Sequence, residues 1–445
     1  MRVHFISIGG SIMHNLAIEL QNNGFEVSGS DDEFFEPSKS RLQENGLLPN
    51  KKGWNTNLIT KEIDIVVLGM HAKSDNPELK KAIELGLKIQ SFPELIYQNT
   101  KEKTRVAIAG SHGKTTITSM VMHVLAKTSK DFDYLVGAKL KGFENSVKLT
   151  TTAPNIILEA DEYLSSAIDK RPKFLWYKPQ ITLISGIAWD HMNVFPTFEN
   201  YKKQFIDYIE SLPLNAVLIY YKGDKLLNKI VNQFKNFKKI PYDFPDYKAE
   251  NGKFKLETKN GFLELNMFGS HNLLNLEGAR LVCEQLGVNN DKFYKSIGDF
   301  QGAGKRLEVI YKSDDLTIFK DFAHSPSKVK ATIKGIKEQY PERKIIACLE
   351  LHTFSSLNKD FIPEYKNTTN DADEIFVFIN EEAVNLKRLE LMSADEIQKA
   401  FNNPNIEVFF DINKLDKRIG KLNKNNSIIL LMSSGDFKKW DLIPN

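Results

Sequence analysis

Short apolar runs bounded by glycine and polar residues recur along the chain, with stretches of helical spacing between them. Val3 to Ile8 reads as a buried strand ended by Gly9-Gly10, then a helical stretch from Met13 to Asn22, then a second strand, Glu26 to Ser30. A strand from Ile63 to Gly69, a helix from Asn76 to Leu85 opened by Asn-Pro, and a strand from Lys88 to Ser91 continue the alternation. The polar stretch Gln98 to Thr104 interrupts it and reads as a linker.

The alternation resumes with a strand from Arg105 to Ala109, a helix from Ile117 to Lys127, and strands at Asn155 to Glu159, Ile181 to Gly186 and Ala216 to Tyr220. The turn Gly302-Ala-Gly304 reads as a second hinge. Beyond it come strands at Leu316 to Asp321, Lys344 to Glu350, Glu374 to Phe378 and Ser427 to Met432. Strands alternating with helices predict parallel sheets. The pattern therefore predicts an α/β chain of three domains, bounded at residues 1–102, 103–300 and 301–445.

Composition narrows the function classes. In 445 residues, 41% are hydrophobic and 26% charged, the balance of a soluble globular protein. Sixty basic residues nearly cancel 57 acidic ones, so charge gives no reason to expect nucleic-acid or membrane binding. Neither a signal-peptide pattern nor a long apolar span is found, and a cytoplasmic location is expected. Cys283 and Cys348 stand in apolar runs and read as buried thiols in a reducing compartment.

Three short motifs carry chemistry. Gly110-Ser-His-Gly-Lys-Thr-Thr116 lies between a strand and a helix, where inward-pointing N–H groups and the helix dipole hold phosphate. The residues Gly110, Ser111, His112, Gly113, Lys114, Thr115 and Thr116 thus form a candidate ATP loop. Lys114 would reach the β- and γ-phosphates, and the Thr115 hydroxyl would ligate Mg²⁺. The strict GxxxxGK[ST] pattern needs glycine at Ile108, so only the shorter GxxGK[ST] is present. Glu159-Ala-Asp161-Glu162 and Trp189-Asp190-His191 each follow a strand of the same segment, where ligand groups collect in open sheets. Thr115, Glu159 and His191 are the candidate metal residues. His191, His324 and His352 are candidate bases by residue type alone.

Together these segments resemble the Mur ligases, in an order that covers essentially the whole chain. The phosphate loop is similar to that family's GTxGKTT, with Ser111 for threonine, and Glu159 to Glu162 to its magnesium-binding EADE. Asp190-His191 resembles its DH pair. Gly269-Ser-His-Asn272-Leu-Leu-Asn275 resembles a helix start whose asparagines face adenine, and the segments that hold Arg306 and Asp321 resemble those by which the family closes over the nucleotide. The resemblance implies an amino-terminal Rossmann-like UDP-sugar domain, a central P-loop ATPase-like domain and a carboxy-terminal Rossmann-like domain for the amino substrate. It implies Lys114, Glu159, His191 and Arg306 as catalytic residues, with ATP and Mg²⁺ as cofactors. Gly9, Gly10, Ser11, Ser30, Asp31 and His71 are implied as UDP-sugar contacts.

Fourteen residues beyond His191, where several members carry a carbamylated lysine, stands Phe205. That departure resembles the muramate-accepting branch. Glu162-Tyr163 and Asp169-Lys-Arg-Pro-Lys-Phe174, with Tyr177 and Pro179, resemble the murein peptide ligases. The implied reaction joins UDP-N-acetylmuramate to L-Ala-γ-D-Glu-meso-diaminopimelate in peptidoglycan recycling, through an acyl phosphate. L-Alanine is the alternative amine. A monomer or weak homo-oligomer is expected. Two rivals of other classes stay open: an NAD-dependent oxidoreductase, from the Gly9-Gly10 turn with Asp31, and a nucleotide-switched binding module.

Overall fold

The computed structural model describes residues 1–190, 192, 194–250, 253–259, 261–265, 267, 269–300, 302 and 307–435, with the backbone alone at Glu250. The chain divides into two compact units. The first comprises Met1–Ile187, Lys202–Asp243 and Gly278–Ile297; the second comprises Ala188–Tyr201, Phe244–Glu277 and Gly298–Asn445.

The first unit holds two sheets. The smaller is parallel, with strands in the order Glu26–Ser30, Arg2–Ile6, Ile65–Leu68 and Ile89–Ser91. Ile6, Val66, Leu68 and Leu79 are buried in one cluster on one side of it. The first strand stops at Ile6, short of the expected Ile8. Ser7 takes a φ of +70°, and the N–H groups of Ser7 and Ile8 both donate to the Ser30 carbonyl at 2.9 and 3.1 Å. The backbone thus turns toward the end of the neighbouring strand rather than running on.

The larger sheet has the order Lys238–Tyr242, Val217–Tyr221, Ile181–Ile184, Thr104–Ala109, Asn155–Glu159, Asp133–Leu135 and Val147–Lys148. All neighbours are parallel except the last pair. Val106 to Ala109 are fully buried, as a central strand covered on both faces must be. The helix Lys114–Lys127 follows that strand, beginning three residues earlier than its apolar pattern suggests.

The expected linker is ordered. The helix Phe92–Asn99 runs into it, and Thr100 and Lys103 are buried. Lys103 Nζ donates to Asp133 at 2.6 Å and to the Thr150 carbonyl at 2.7 Å. Just beyond, the Arg105 guanidinium donates to the carbonyls of Thr100, Lys101 and Tyr177 at 2.8–2.9 Å.

In the second unit a six-stranded sheet has the order Glu308–Lys312, Leu316–Asp321, Ser427–Met432, Lys344–Leu351, Glu374–Ile379 and Ile406–Phe409. Only its first pair is antiparallel. A separate antiparallel sheet of Tyr247–Glu250, Lys253–Thr258 and Gly261–Leu265 was not expected from the sequence. Phe254 and Leu256 are buried on one face of it, while lysine and glutamate alternate with them. Gly269 has a φ of +76° and faces Gly335 of the helix Pro326–Gln339, where a Cβ would lie 2.5 Å from the Gly269 Cα. Cys283 and Cys348 are both buried thiols. Among the described residues no helix is long and apolar enough to cross a membrane.

Candidate functional site

The phosphate-type loop leans on the end of the adjacent strand. Gly110 has a φ of +116°, and a Cβ there would stand 2.7 Å from the Ser185 backbone nitrogen, so only glycine fits. Ser111 N donates to the Gly186 carbonyl at 3.0 Å, and the Ser185 hydroxyl donates to the His112 carbonyl. Gly113, at φ +72°, caps the helix that Lys114 opens. Thr116 is buried in its first turn.

Lys114 Nζ folds back to the Gly110 carbonyl at 2.9 Å and pairs with Glu162 Oε2 at 2.6 Å, with Asp161 Oδ1 at 3.8 Å. Burial opposes the lysine's charge, but Glu162, Asp161 and Glu159 outweigh it and hold its pKa above the usual lysine value. Asp161 also binds Lys173 at 2.9 Å, whose ammonium lies over the Phe92 and Tyr163 rings. Two ammonium groups and two carboxylates therefore alternate beside the loop.

Glu159 closes the strand Asn155–Glu159 and uses both oxygens. Oε1 accepts from Thr115 Oγ1 at 2.8 Å, and Oε2 accepts from the Gly137 backbone N–H at 2.8 Å. A Cβ at Gly137 would come within 3.1 Å of Glu159 Oε1, so glycine there gives the carboxylate its seat. A hydroxyl and a carboxylate side by side are hard oxygen donors that fit Mg²⁺, an ion that fills its remaining positions with phosphate oxygens and water. His191, the third predicted metal residue, lies outside the described residues, as does Arg306. Among the described residues no three His, Cys, Asp or Glu side chains form a metal-binding group.

A cavity of about 1100 Å³ opens at the Gly9-Gly10 turn, also within the first unit. Gly9, Gly10, Ser11, Asp31 and His71, the residues that the resemblance implies as sugar-nucleotide contacts, line it. Gly9 N donates to Asp31 Oδ2 at 2.7 Å, and a Cβ on Gly9 would stand 2.9 Å from that oxygen. Burial pushes the Asp31 carboxyl up to about 6 despite the bond from Gly9, and the Asp32 carboxylate adds to the rise. Ser30 is a correction: it does not line the cavity. Its hydroxyl donates to the buried Glu78, which also accepts the Asn55 N–H at 2.6 Å.

The other wall belongs to the segment from Gly137 to Lys148. Arg41 donates to Asn15 Oδ1 and to Asn145 Oδ1, the latter at 3.2 Å, and Asn145 Nδ2 returns a bond to the Asn15 carbonyl at 3.1 Å. Sequence reasoning missed Arg41, Gly137 and Asn145. No motif marks them, and the Arg41–Asn145 bond spans 104 positions.

In the second unit, Asn272 and Asn275 occupy the first two turns of the helix Ser270–Gln285, with Asn275 Nδ2 donating to Asn272 Oδ1 at 3.1 Å. Asp321 holds its own strand end, accepting from Leu307 N and Phe322 N through Oδ1 and from Thr332 Oγ1 through Oδ2. Asp190 sits 3.8 Å from Lys328. His324 Nδ1 bonds the Phe322 carbonyl at 2.7 Å, and His352 stands 3.9 Å from the buried Glu350. Thr353 and Ser356 bond one another in a turn. Back in the first unit, Phe205 is fully buried edge-on to Phe174, and no lysine takes its place.

Comparison with known proteins bears on all of this. Three family models match in series: "Mur ligase family, catalytic domain" over residues 2–104, "Mur ligase middle domain" over 108–283, and "Mur ligase, glutamate ligase domain" over 305–435. They accord with the three-domain α/β architecture. A UDP-N-acetylmuramate–L-alanine ligase from Sulfurihydrogenibium sp. is 28% identical over 98% of this chain and 95% of its own. One from Persephonella marina is 31% identical over 79% of this chain and 76% of its own. Among solved structures, a murein peptide ligase from Psychrobacter arcticus aligns with TM-score 0.65 and 23% identity, covering 98% of this chain and 96% of that one. A UDP-N-acetylmuramate–alanine ligase from Thermotoga maritima aligns with TM-score 0.69 and 20% identity over the same shares.

Proposed function

This chain belongs to the Mur ligase family, ATP-dependent enzymes that form an amide bond and release ADP, and we propose that its acid substrate is UDP-N-acetylmuramate. The observation that carries this reading is the double grip of Glu159. One oxygen meets the Thr115 hydroxyl of the phosphate loop, and the other meets Gly137, whose segment walls the cavity at the Gly9-Gly10 turn.

The reaction proceeds in two steps. The muramoyl carboxylate attacks the γ-phosphorus of ATP, the bond to the β-phosphate oxygen breaks, and an acyl phosphate and ADP form. The neutral amine then attacks the acyl carbon, and inorganic phosphate departs with the electron pair of the C–O bond. Carboxylate and triphosphate repel each other, so the first step depends on positive charge fixed in advance. Lys114 is held for that purpose by Gly110 and Glu162, and the N–H groups of the helix start at Lys114 would face the phosphates. Thr115 and Glu159 would hold Mg²⁺, which would supply further positive charge against the phosphate oxygens. Exclusion of water protects the acyl phosphate from hydrolysis.

L-Alanine is the amine that the curated relatives favour, and the reading is revised to it from the tripeptide suggested by the Glu162–Tyr177 segment. The tripeptide stays as a second reading on one observation. Asp169 binds Arg171 at 2.9 Å and the Trp176 indole at 2.8 Å, so the segment that resembles murein peptide ligases is built as a unit. Incubation with ATP, Mg²⁺ and UDP-N-acetylmuramate plus either amine, scored by product mass, decides between them. No ADP release with either amine sinks the acid-substrate assignment.

A further inference from the structure

The cavity at the Gly9-Gly10 turn has an acidic wall. Glu19, Asp31 and Glu144 all line it, and each would repel a diphosphate. An anionic ligand therefore needs a cation placed against it. Lys148 is committed to Asp131 at 3.2 Å, and Lys139 is exposed. His14 is neutral: Nδ1 donates to the Gly10 carbonyl at 2.8 Å and Nε2 accepts from Asn15 Nδ2 at 3.0 Å. Burial lowers its pKa, and the nearby Arg41 charge lowers it further.

Arg41 is different. It is half-buried, always charged, and makes no ion pair among the described residues. Its two printed partners are amide oxygens, which orient the guanidinium plane without neutralising it. Its remaining N–H groups have no partner among the described residues. A planar cation held in place by neutral acceptors in a cavity wall is suited to paired phosphate oxygens.

We propose that Arg41 reads the diphosphate bridge of the sugar nucleotide, held in place by Asn15 from the amino-terminal segment and Asn145 from the central one. This rests on the reading of the cavity as the UDP-sugar site. The Asn145 contact gives Arg41 a second role. Asn145 lies in the same loop as Gly137, which binds Glu159, so binding of the diphosphate orders the loop that seats that carboxylate.

Titration calorimetry of the whole chain with UDP, with UMP and with UDP-N-acetylmuramate tests the assignment. Wild type should bind UDP at least tenfold more tightly than UMP. Arg41→Ala should lose most of that advantage, binding UDP about tenfold or more weakly with UMP affinity unchanged. Arg41→Gln, which can still donate to Asn15, gives the same reading if the alanine variant does not fold. A folded variant that binds UDP as wild type does overturns this inference alone. A wild-type chain that binds neither UDP nor UMP overturns both the inference and the cavity assignment beneath it.

Discussion

Removal of the Lys114 side chain affects two properties that can be measured apart. Its ammonium lies 2.6 Å from Glu162, whose side chain is only 1% exposed. Taking one partner from a buried ion pair costs about 3–5 kcal/mol. Whole-domain stabilities are about 5–15 kcal/mol, so Lys114→Ala should fold yet unfold at clearly lower urea. Adding Glu162→Gln removes the second charge of the pair as well, and the double variant should recover part of the lost stability. Turnover should behave differently. If Lys114 stabilises the transferring phosphoryl group, both variants should lose at least about 10²-fold in ADP release. Urea midpoints and substrate-dependent ADP release, read on the same preparations, separate the effects. A single variant with the parent's midpoint refutes the ion-pair argument. A double variant with the parent's turnover refutes the role given to Lys114.

Three further outcomes follow from the geometry. Glu159→Gln keeps an acceptor for Thr115 but loses the charge, and should raise the Mg²⁺ concentration for half-maximal activity by about 10–100-fold; an unchanged metal titration argues against Glu159 as a ligand. Arg105→Ala strands buried carbonyls at Thr100 and Tyr177 and should cost about 2–4 kcal/mol in urea unfolding; a loss below about 0.5 kcal/mol would show that water replaces the guanidinium. Asp31, with its carboxyl pushed up to about 6, holds its proton more tightly folded than unfolded. It therefore stabilises the fold below the ordinary carboxylate range, and that contribution is lost as pH rises through 6. Asp31→Asn should flatten this part of a melting-temperature profile between pH 4 and 7, and a profile parallel to the parent's would contradict it.

Much of the fold was legible because the parallel strands are continuous apolar runs with few competing readings. Asn155–Glu159, Leu316–Asp321 and Ser427–Met432 were read to the residue. The three-stranded antiparallel sheet escaped notice because few of its side chains are buried. Lys253 to Thr258 alternates lysine and glutamate with two buried apolar residues, too short a signal against a charged background. At the site, glycine and lysine of the phosphate loop were visible as a local pattern. Gly137 and Asn145 were not, since Gly137 meets the end of another strand at Glu159 and Asn145 meets Asn15 and Arg41, 130 and 104 positions away. Ser30 was assigned to the sugar site from its neighbours in sequence, but its hydroxyl goes to the fully buried Glu78 instead.

The meeting of Gly269 with Gly335 constrains how this protein can be recombined. Gly269 opens the helix that carries Asn272 and Asn275, and its main chain touches another helix with no side chain between them. A rotamer change can relieve crowding between side chains, but nothing short of moving a helix relieves it here. A chimaera that exchanges the helix Pro326–Gln339 for a relative's must keep glycine at 335, because an alanine there would displace the turn at Gly269.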